Sequence, residues 1–255
     1  DVSNNSSSYA MVSYFGKVNY AYDEKYLVSG TLRRDASSRF GNGNNSAIFP
    51  SVSAGWRISR ENFMETTSNW LSDLKLRASW GINGNDMIDN SATYSLYYVD
   101  MNTGSYNFSG DGKTLSPGVI KTMSGNNNLK WEQTEQFNIG IDAAFLDNRL
   151  GVTMDYFKKK TKDMLIQKPY IAAIGEGGYK WYNAASMDNN GVEATITWHD
   201  KINDFNYEVA FNVSYYHNEI TDLPEEVKYT WGGGDGISKT IIGQSYGSWM
   251  AYKTD

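Results

Sequence analysis

Apolar and polar residues alternate with a period of two along most of the chain, a pattern that predicts β-strands. The run at 14–22 is typical, because Tyr14 and Val18 occupy even positions while Lys17 occupies an odd one. Further runs with the same alternation lie at 26–32, 48–58, 74–82, 137–145, 150–156, 192–198 and 205–215. We expect one more strand to start near Lys239.

The lengths of these runs and of their connections favour a membrane barrel over a soluble sandwich, although both hide one face of each strand. Several runs reach about 10 residues, as tilted transmembrane strands do, whereas soluble strands average about 5–6 residues. Outer-membrane barrels have short periplasmic turns and long external loops. The connections follow that rhythm, with short or moderate ones at 23–25, 59–72, 146–149 and 200–204 and long ones at 35–47, 84–128, 163–188 and 218–238.

Helical spacing is confined to 61–71, inside the connection at 59–72, which is of moderate length. The pattern as a whole therefore predicts an all-β, antiparallel transmembrane β-barrel segment of roughly eight or nine strands. Because an open sheet edge leaves backbone groups unpaired in lipid, we expect these strands to belong to a larger barrel.

The two faces of the predicted strands differ in chemistry. Aromatic residues lie where the runs meet the short connections, the position of an interfacial girdle: Tyr22, Tyr26, Trp56, Phe145, Trp198 and Tyr207. Charged residues occupy the opposite face: Lys17, Arg33, Arg57, Lys75, Arg77, Asp142, Asp155 and Glu193. This division predicts that one face meets lipid and the other lines a wet lumen.

Composition narrows the function classes. The 255 residues include no Cys, which excludes disulfides and thiolate metal sites. The net charge of −6 argues against nucleic-acid binding, because contact with phosphates needs a clustered basic surface. The mean hydropathy of −0.55 is compatible with a barrel in which alternate residues meet lipid.

Several collinear stretches resemble the SusC/RagA family of TonB-linked outer-membrane transporters of Bacteroidetes. They are RRDASSRFG at 33–41, FPSVSAGWRI at 49–58, LKLRASWG at 74–81, NLKWEQT at 128–134, NGVE at 190–193 and GQSYGS at 243–248. The resemblance covers nearly the whole chain.

The resemblance implies that residues 1–255 are an internal part of a barrel of about 22 strands, without the plug domain and the closing strands. It further implies import of oligosaccharides or peptides across the outer membrane, with a SusD-like surface lipoprotein as partner. The inner-membrane TonB complex would supply energy through the missing N-terminal part. No nucleic acid is expected as a partner.

The chain offers little that could carry catalysis, and we expect no enzyme activity. His199 and His217 are placed at opposite ends of neighbouring strands, too far apart to share a metal ion. No nucleophile motif or phosphate-binding glycine loop occurs. The stretch at 83–90 has oxygen ligands suitable for Ca²⁺, but it lacks EF-hand spacing, and an Asn/Asp/Gly turn is the simpler interpretation. No other cofactor is expected.

Contact with cargo is the one function for which the sequence offers candidate residues. Aromatic faces and amide groups bind sugars, and both are frequent in the long connections. The candidates are Tyr97, Tyr98, Trp181, Tyr182, Asn183 and Trp231. The alternative for each is that its side chain packs loop against loop, or against the partner lipoprotein.

Two other functions remain open at this stage. A soluble carbohydrate-binding or adhesin β-domain would also present aromatic loops, but its strands would have ordinary length. A β-rich glycosidase would need a pair of carboxylates about 5–10 Å apart, and the sequence nominates none.

Overall fold

The computed structural model describes residues 8–100, 106–108, 110, 112, 116–169, 178–225 and 241–248. Ten strands form one sheet within these residues. They are β1 (Met11–Tyr22), β2 (Tyr26–Ser37), β3 (Ser46–Arg57), β4 (Leu71–Asn85), β5 (Leu96–Asp100), β6 (Gly118–Ser124), β7 (Glu132–Phe145), β8 (Leu150–Pro169), β9 (Tyr179–Ile202) and β10 (Phe205–Asp222).

Eight of these strands form a continuous antiparallel wall in the order β1-β2-β3-β4-β7-β8-β9-β10. Strands β5 and β6 pair with each other as a hairpin, which joins β9 through a short parallel pairing. The predicted all-β antiparallel architecture is therefore confirmed. The hairpin lies inside the connection predicted at 84–128, where alternation is too brief to indicate strands.

The long connection predicted at 163–188 is wrong in its extent. Strand β8 continues to Pro169 and β9 begins at Tyr179, so most of that segment is paired strand. Register shifts beside Asp163, whose φ is +55°, bend the pair. In this extension Met164, Leu165 and Ile166 follow one another as a continuous apolar run, so no period of two marks the strand in the sequence.

Lys239, where a further strand is expected to start, lies outside the described residues, but residues 241–248, which would continue that strand, form turns and bends instead. The helical spacing at 61–71 corresponds to two short 3-10 helices, Ile58–Arg60 and Asn62–Thr67. No helix in the described part of the chain has the length and apolar character to cross a membrane.

The register separates two chemically different faces. Across β2, β3 and β4, Val28 pairs with Ala54 and Ala54 with Ala78. One position along, Ser29 pairs with Ser53, and their hydroxyls are 2.7 Å apart. A slip of one residue would exchange the faces, so the pattern fixes the register. We call the face of Val28 and Ala54 outward and the face of Ser29 inward.

The outward face leaves large apolar side chains exposed along the strands. Val18 is 72% exposed, Phe211 63% and Tyr215 68%. Water-exposed rings and aliphatic chains in such numbers are unfavourable, whereas hydrocarbon lipid accommodates them. The predicted lipid-facing surface is thus present.

The tight connections use left-handed backbone conformations. In the three-residue connection between β1 and β2, Asp23 and Glu24 both have positive φ, 49° and 51°, as in a type I′ turn, and the Lys25 N–H donates to the Tyr22 carbonyl at 3.0 Å. Leu146, Asp147 and Asn148 also have positive φ between β7 and β8. All the tight connections lie at one end of the wall, which we call the turn end. We call the opposite end the loop end.

Candidate functional site

The main cluster of buried apolar residues in the described part of the chain lies at the loop end. Phe40, Phe49, Ile88, Ala92, Leu129 and Trp131 form this loop-end core. The Trp131 ring lies 5.3 Å from that of Phe40 and 5.4 Å from that of Phe49. Its Nε1 donates to the Asn45 carbonyl at 3.2 Å. The connections therefore pack into a fixed rim above the wall.

Asp86 ties three segments of this rim together. Its Oδ2 accepts hydrogen bonds from the Tyr9 hydroxyl at 2.9 Å and from the Ser37 hydroxyl at 2.6 Å. Arg39 donates to the Asp86 carbonyl at 3.0 Å and to Asn90 Oδ1 at 2.8 Å. Burial, followed by the hydrogen bond to Asp86, raises the pKa of Tyr9.

The same contacts bear on calcium. The side chains of Asp86 and Asp89 are turned toward protein donors, since Asp89 Oδ2 accepts from Trp181 Nε1 at 3.1 Å. Within the described residues, no three His, Asp or Glu side chains come together to hold a metal ion. Calcium binding at 83–90 remains a prediction.

Asn183, one of the predicted cargo contacts, is fully engaged inside the protein. Its Nδ2 donates to the carbonyls of Lys130 at 2.7 Å and Asp163 at 2.9 Å. Its Oδ1 accepts from the Lys130 backbone at 2.9 Å. The amide therefore fastens the segment before β7 to the bulge of β8, which accounts for it without a ligand.

Trp181 lies on the same strand and packs against the loop-end core. Its indole donates to Asp89, and its carbonyl accepts from Asn126 Nδ2 at 2.8 Å. Tyr182 places its ring 5.4 Å from the Lys180 ammonium. These neighbours on β9 thus join the rim, while a role in cargo binding stays a prediction.

Tyr97 and Tyr98 lie apart from these residues, on the β5–β6 hairpin. They are 62% and 58% exposed, and Val99 beside them is 60% exposed. Pairing of Met123 with Tyr179 places the base of the hairpin next to β9. The remaining candidate, Trp231, lies outside the described residues.

Sequence reasoning missed a polar pocket of about 460 Å³ at the loop end. Its lining carries hydroxyl and amide groups but no ionisable acid or base other than a tyrosine: Ser37, Ser38, Phe40, Gly41, Asn42, Asn45, Thr93, Tyr94 and Asn127. The clusters of Asn, Ser and Gly at 37–45 and 124–128 were the available signal. They look the same as ordinary turns until the fold brings them together.

The inward face carries a charged trio on three neighbouring strands. Arg77 Nε and Nη2 donate to the two oxygens of Asp142 at 2.7 and 2.9 Å, and Nη2 also donates to Asp155 at 3.0 Å. Gly140 lies between them, and a Cβ at that position would be 2.8 Å from Arg77 Nη2. Three of the predicted inward charges, Arg77, Asp142 and Asp155, are therefore paired across the wall.

At the turn end, Glu61 joins the connection at 59–72 to strands β2 and β3. It accepts from the Tyr26 hydroxyl at 2.7 Å and from Trp56 Nε1 at 3.0 Å. These hydrogen bonds, in that order, lower the pKa of Glu61. Two of the predicted girdle aromatics thus have their polar groups satisfied at the membrane boundary.

Comparison with known proteins gives concordant results. The family described as "TonB dependent receptor-like, beta-barrel" matches residues 1–249. The TonB-dependent receptor SusC of Bacteroides thetaiotaomicron is 36% identical over 233 residues, 90% of this chain and 23% of that protein. TonB-dependent receptor P3 of Formosa agariphila is 37% identical over 216 residues, 84% of this chain and 21% of that protein.

A solved structure agrees with these sequence matches. The RagAB peptide importer in its closed-closed state superposes with a TM-score of 0.75 at 34% identity, over 88% of this chain and 24% of that one. The chain thus spans less than a quarter of these relatives. The shared fold is an outer-membrane β-barrel, and proteins of this kind are transporters rather than enzymes. This chain therefore belongs to the TonB-dependent receptor-like β-barrel family and resembles SusC and RagAB within it.

Proposed function

We propose that the chain forms part of the wall of an outer-membrane importer of oligosaccharides or peptides. A SusD-like surface lipoprotein would act with it, and the TonB complex would supply energy. The observation that carries this proposal is the division of the wall into a lipid-compatible outward face and a polar inward face that holds the charged trio. A soluble adhesin domain is not favoured, because it would have to expose the outward face to water.

The sheet edges support a barrel larger than these strands. Within the described residues, β1 pairs only with β2 and β10 only with β9. Unpaired backbone groups at such edges are not tolerated in hydrocarbon. We therefore propose that the wall continues to close, at about 22 strands as in large plugged transporters.

The polar pocket at the loop end favours an oligosaccharide over a peptide as cargo. Hydroxyl and amide side chains can donate to and accept from sugar hydroxyls. In contrast, the termini of a peptide call for charged partners, and no Lys, Arg, Asp or Glu lines this pocket. Asn42 and Asn127 are the side chains that we expect to contact a sugar.

The exposed β5–β6 hairpin suits contact with the partner lipoprotein. Tyr97, Tyr98 and Val99 expose apolar area on a hairpin that joins β9 at its loop end. Aromatic side chains of this kind are enriched in protein interfaces. Replacing both tyrosines by Ala should leave barrel folding unchanged and weaken association with the lipoprotein, measured by co-purification.

Binding and uptake experiments test the cargo proposal. Intact transporter with its lipoprotein is titrated calorimetrically with panels of neutral oligosaccharides and of short peptides. We expect saturable binding of an oligosaccharide, weakened in a variant carrying Asn42→Ala and Asn127→Ala. Asn206→Ala, an exposed amide at the turn end, serves as the control. Binding of peptides alone, or unchanged oligosaccharide uptake after gene deletion, would contradict the proposal.

A further inference from the structure

Above its apolar band, the outward face changes character abruptly on β8. Met154 and Tyr156 are outward, apolar and exposed by 54% and 42%. The next three outward positions on the same strand are Lys158, Lys160 and Lys162. Outward positions along a strand are about 7 Å apart, so the lysines rise from the apolar band toward the loop end.

An apolar groove of about 340 Å³ lies directly below these lysines on the outward face. Outward side chains of several strands line it, including Ile141, Met154, Ala194 and Val213, which are neighbours in one cross-strand row. The methyl group of Ala194 is the smallest in that row, which opens a concavity between longer side chains. In a membrane this concavity faces acyl chains.

The row directly above the groove has the composition of a membrane interface. Phe137, Lys158, Asn190 and His217 are in register across β7 to β10. Aromatic residues and snorkelling lysines mark the level of lipid headgroups. The loop end is the external side of such barrels. This row therefore lies at the headgroups of the outer leaflet.

Acidic residues on the same face moderate the positive charge but do not cancel it at every lysine. Asp188 lies 3.9 Å from the Lys158 ammonium, and Glu135 accepts from Trp80 Nε1 at 2.8 Å. Lys160 lies in register between Glu135 on β7 and Asp188 on β9, and Glu219 on β10 is opposite Asp188. Within the described residues, Lys160 and Lys162 form no ion pair within 4 Å.

We propose that this outward face binds a phosphate-bearing lipid of the outer leaflet, with an acyl chain in the groove and the phosphate against Lys158 and Lys160. Ammonium groups attract phosphate oxygens electrostatically, and the apolar groove supplies the surface for the chain. The site faces away from the lumen. It depends on the membrane position of the wall and is independent of which cargo is imported.

The test compares two lysine triples in the intact transporter. Outward Lys158, Lys160 and Lys162 are changed to Gln in one variant; inward Lys17, Lys75 and Lys159 are changed to Gln in the other. Both variants lose the same charge from opposite faces of the wall. Affinity is measured by native mass spectrometry with monophosphorylated lipid A and with dephosphorylated lipid A of the same acyl composition.

We expect the outward triple to weaken binding of the phosphorylated lipid by about tenfold or more, since one lysine near an anionic surface contributes a factor of about five. The inward triple should change it by less than about twofold, and an outward Lys→Arg triple should retain binding because Arg also pairs with phosphate. Equal losses in both Gln triples, no loss in either, or equal binding of the dephosphorylated lipid would overturn the proposal.

A second pair of variants tests the groove without altering charge. Ala194→Phe fills the concavity, whereas Ala54→Phe places the same ring on the outward face of β3, away from it. We expect only Ala194→Phe to weaken binding, and to weaken it for both lipid forms. Equal affinities of the two Phe variants would overturn the assignment of the acyl chain to the groove.

Discussion

Gly140 offers the sharpest test of how the inward charges hold the wall together. A methyl group at this position would lie 2.8 Å from Arg77 Nη2 and would also meet Asp155. Carbon and nitrogen atoms in contact need roughly 3.5 Å, so the guanidinium must move. Because Nη2 is the atom that bonds Asp155, Gly140→Ala should break that bond first and strain the pair with Asp142.

The expected cost follows from the bond that is lost. A hydrogen bond between charged groups contributes about 1.5–3 kcal/mol. Arg77 is 31% exposed and Asp155 17%, so partial screening places the loss near the middle, at about 2 kcal/mol. A loss of this size corresponds to roughly 30-fold more frequent local opening. The effect should centre on β7 and β8 at the level of the trio.

Hydrogen exchange of the intact transporter, read by mass spectrometry, measures this opening locally. Peptides covering β7 and β8 should exchange roughly 30-fold faster in Gly140→Ala. Gly30→Ala is the matched control, because a Cβ at Gly30 meets no atom within 4 Å. If both variants exchange at the wild-type rate, or if both lose equal protection, the trio does not stabilise the wall as argued.

Two further predictions concern the ends of the wall. Glu61→Gln should remove an acid dependence of stability: the lowered pKa means that the ionised carboxylate stabilises the fold above the usual Glu pKa, and that this is lost as pH falls through the folded value. Melting curves at several pH values should show this loss in the wild type and not in the variant. Asn183→Ala should free the segment around Lys130 at a cost of about 2 kcal/mol, from the loss of several hydrogen bonds. Faster exchange confined to that segment, and absent in Asn206→Ala, is the expected result; unchanged exchange would refute it.

The wall could be predicted because lipid imposes a periodic pattern on the sequence. Val28, Ala54 and Ala78 are apolar at outward positions, while Ser29 and Ser53 are polar one residue away. Short turns such as that at Asp23 and Glu24 mark the strand ends by composition. Each of these signals is local, so it can be read along the chain before any pairing is known.

The rim could not be predicted in the same way, because its contacts join distant segments. Lys130 precedes β7 in the sequence, whereas Asn183 lies on β9. The two residues meet at the bulge of β8, where Asn183 also binds the Asp163 carbonyl. The extension of β8 and β9 beyond the bilayer has no lipid-facing row to impose alternation. The polar pocket likewise depends on Asn42 and Asn127 meeting across the fold.

The central claim is that alternate residues of each wall strand face lipid and lumen. These 255 residues contain no Cys, so in a transporter whose other parts carry no Cys, single cysteines are introduced at Val28 and Ile196 on the outward face and at Ser29 and Thr195 on the inward face. Spin labels at these positions in the membrane-embedded transporter report collision with oxygen, which concentrates in lipid, and with a water-soluble nickel complex. The account predicts a high oxygen-to-nickel ratio at Val28 and Ile196 and a low ratio at Ser29 and Thr195. Equal ratios at neighbouring positions, or the reverse order, would contradict it.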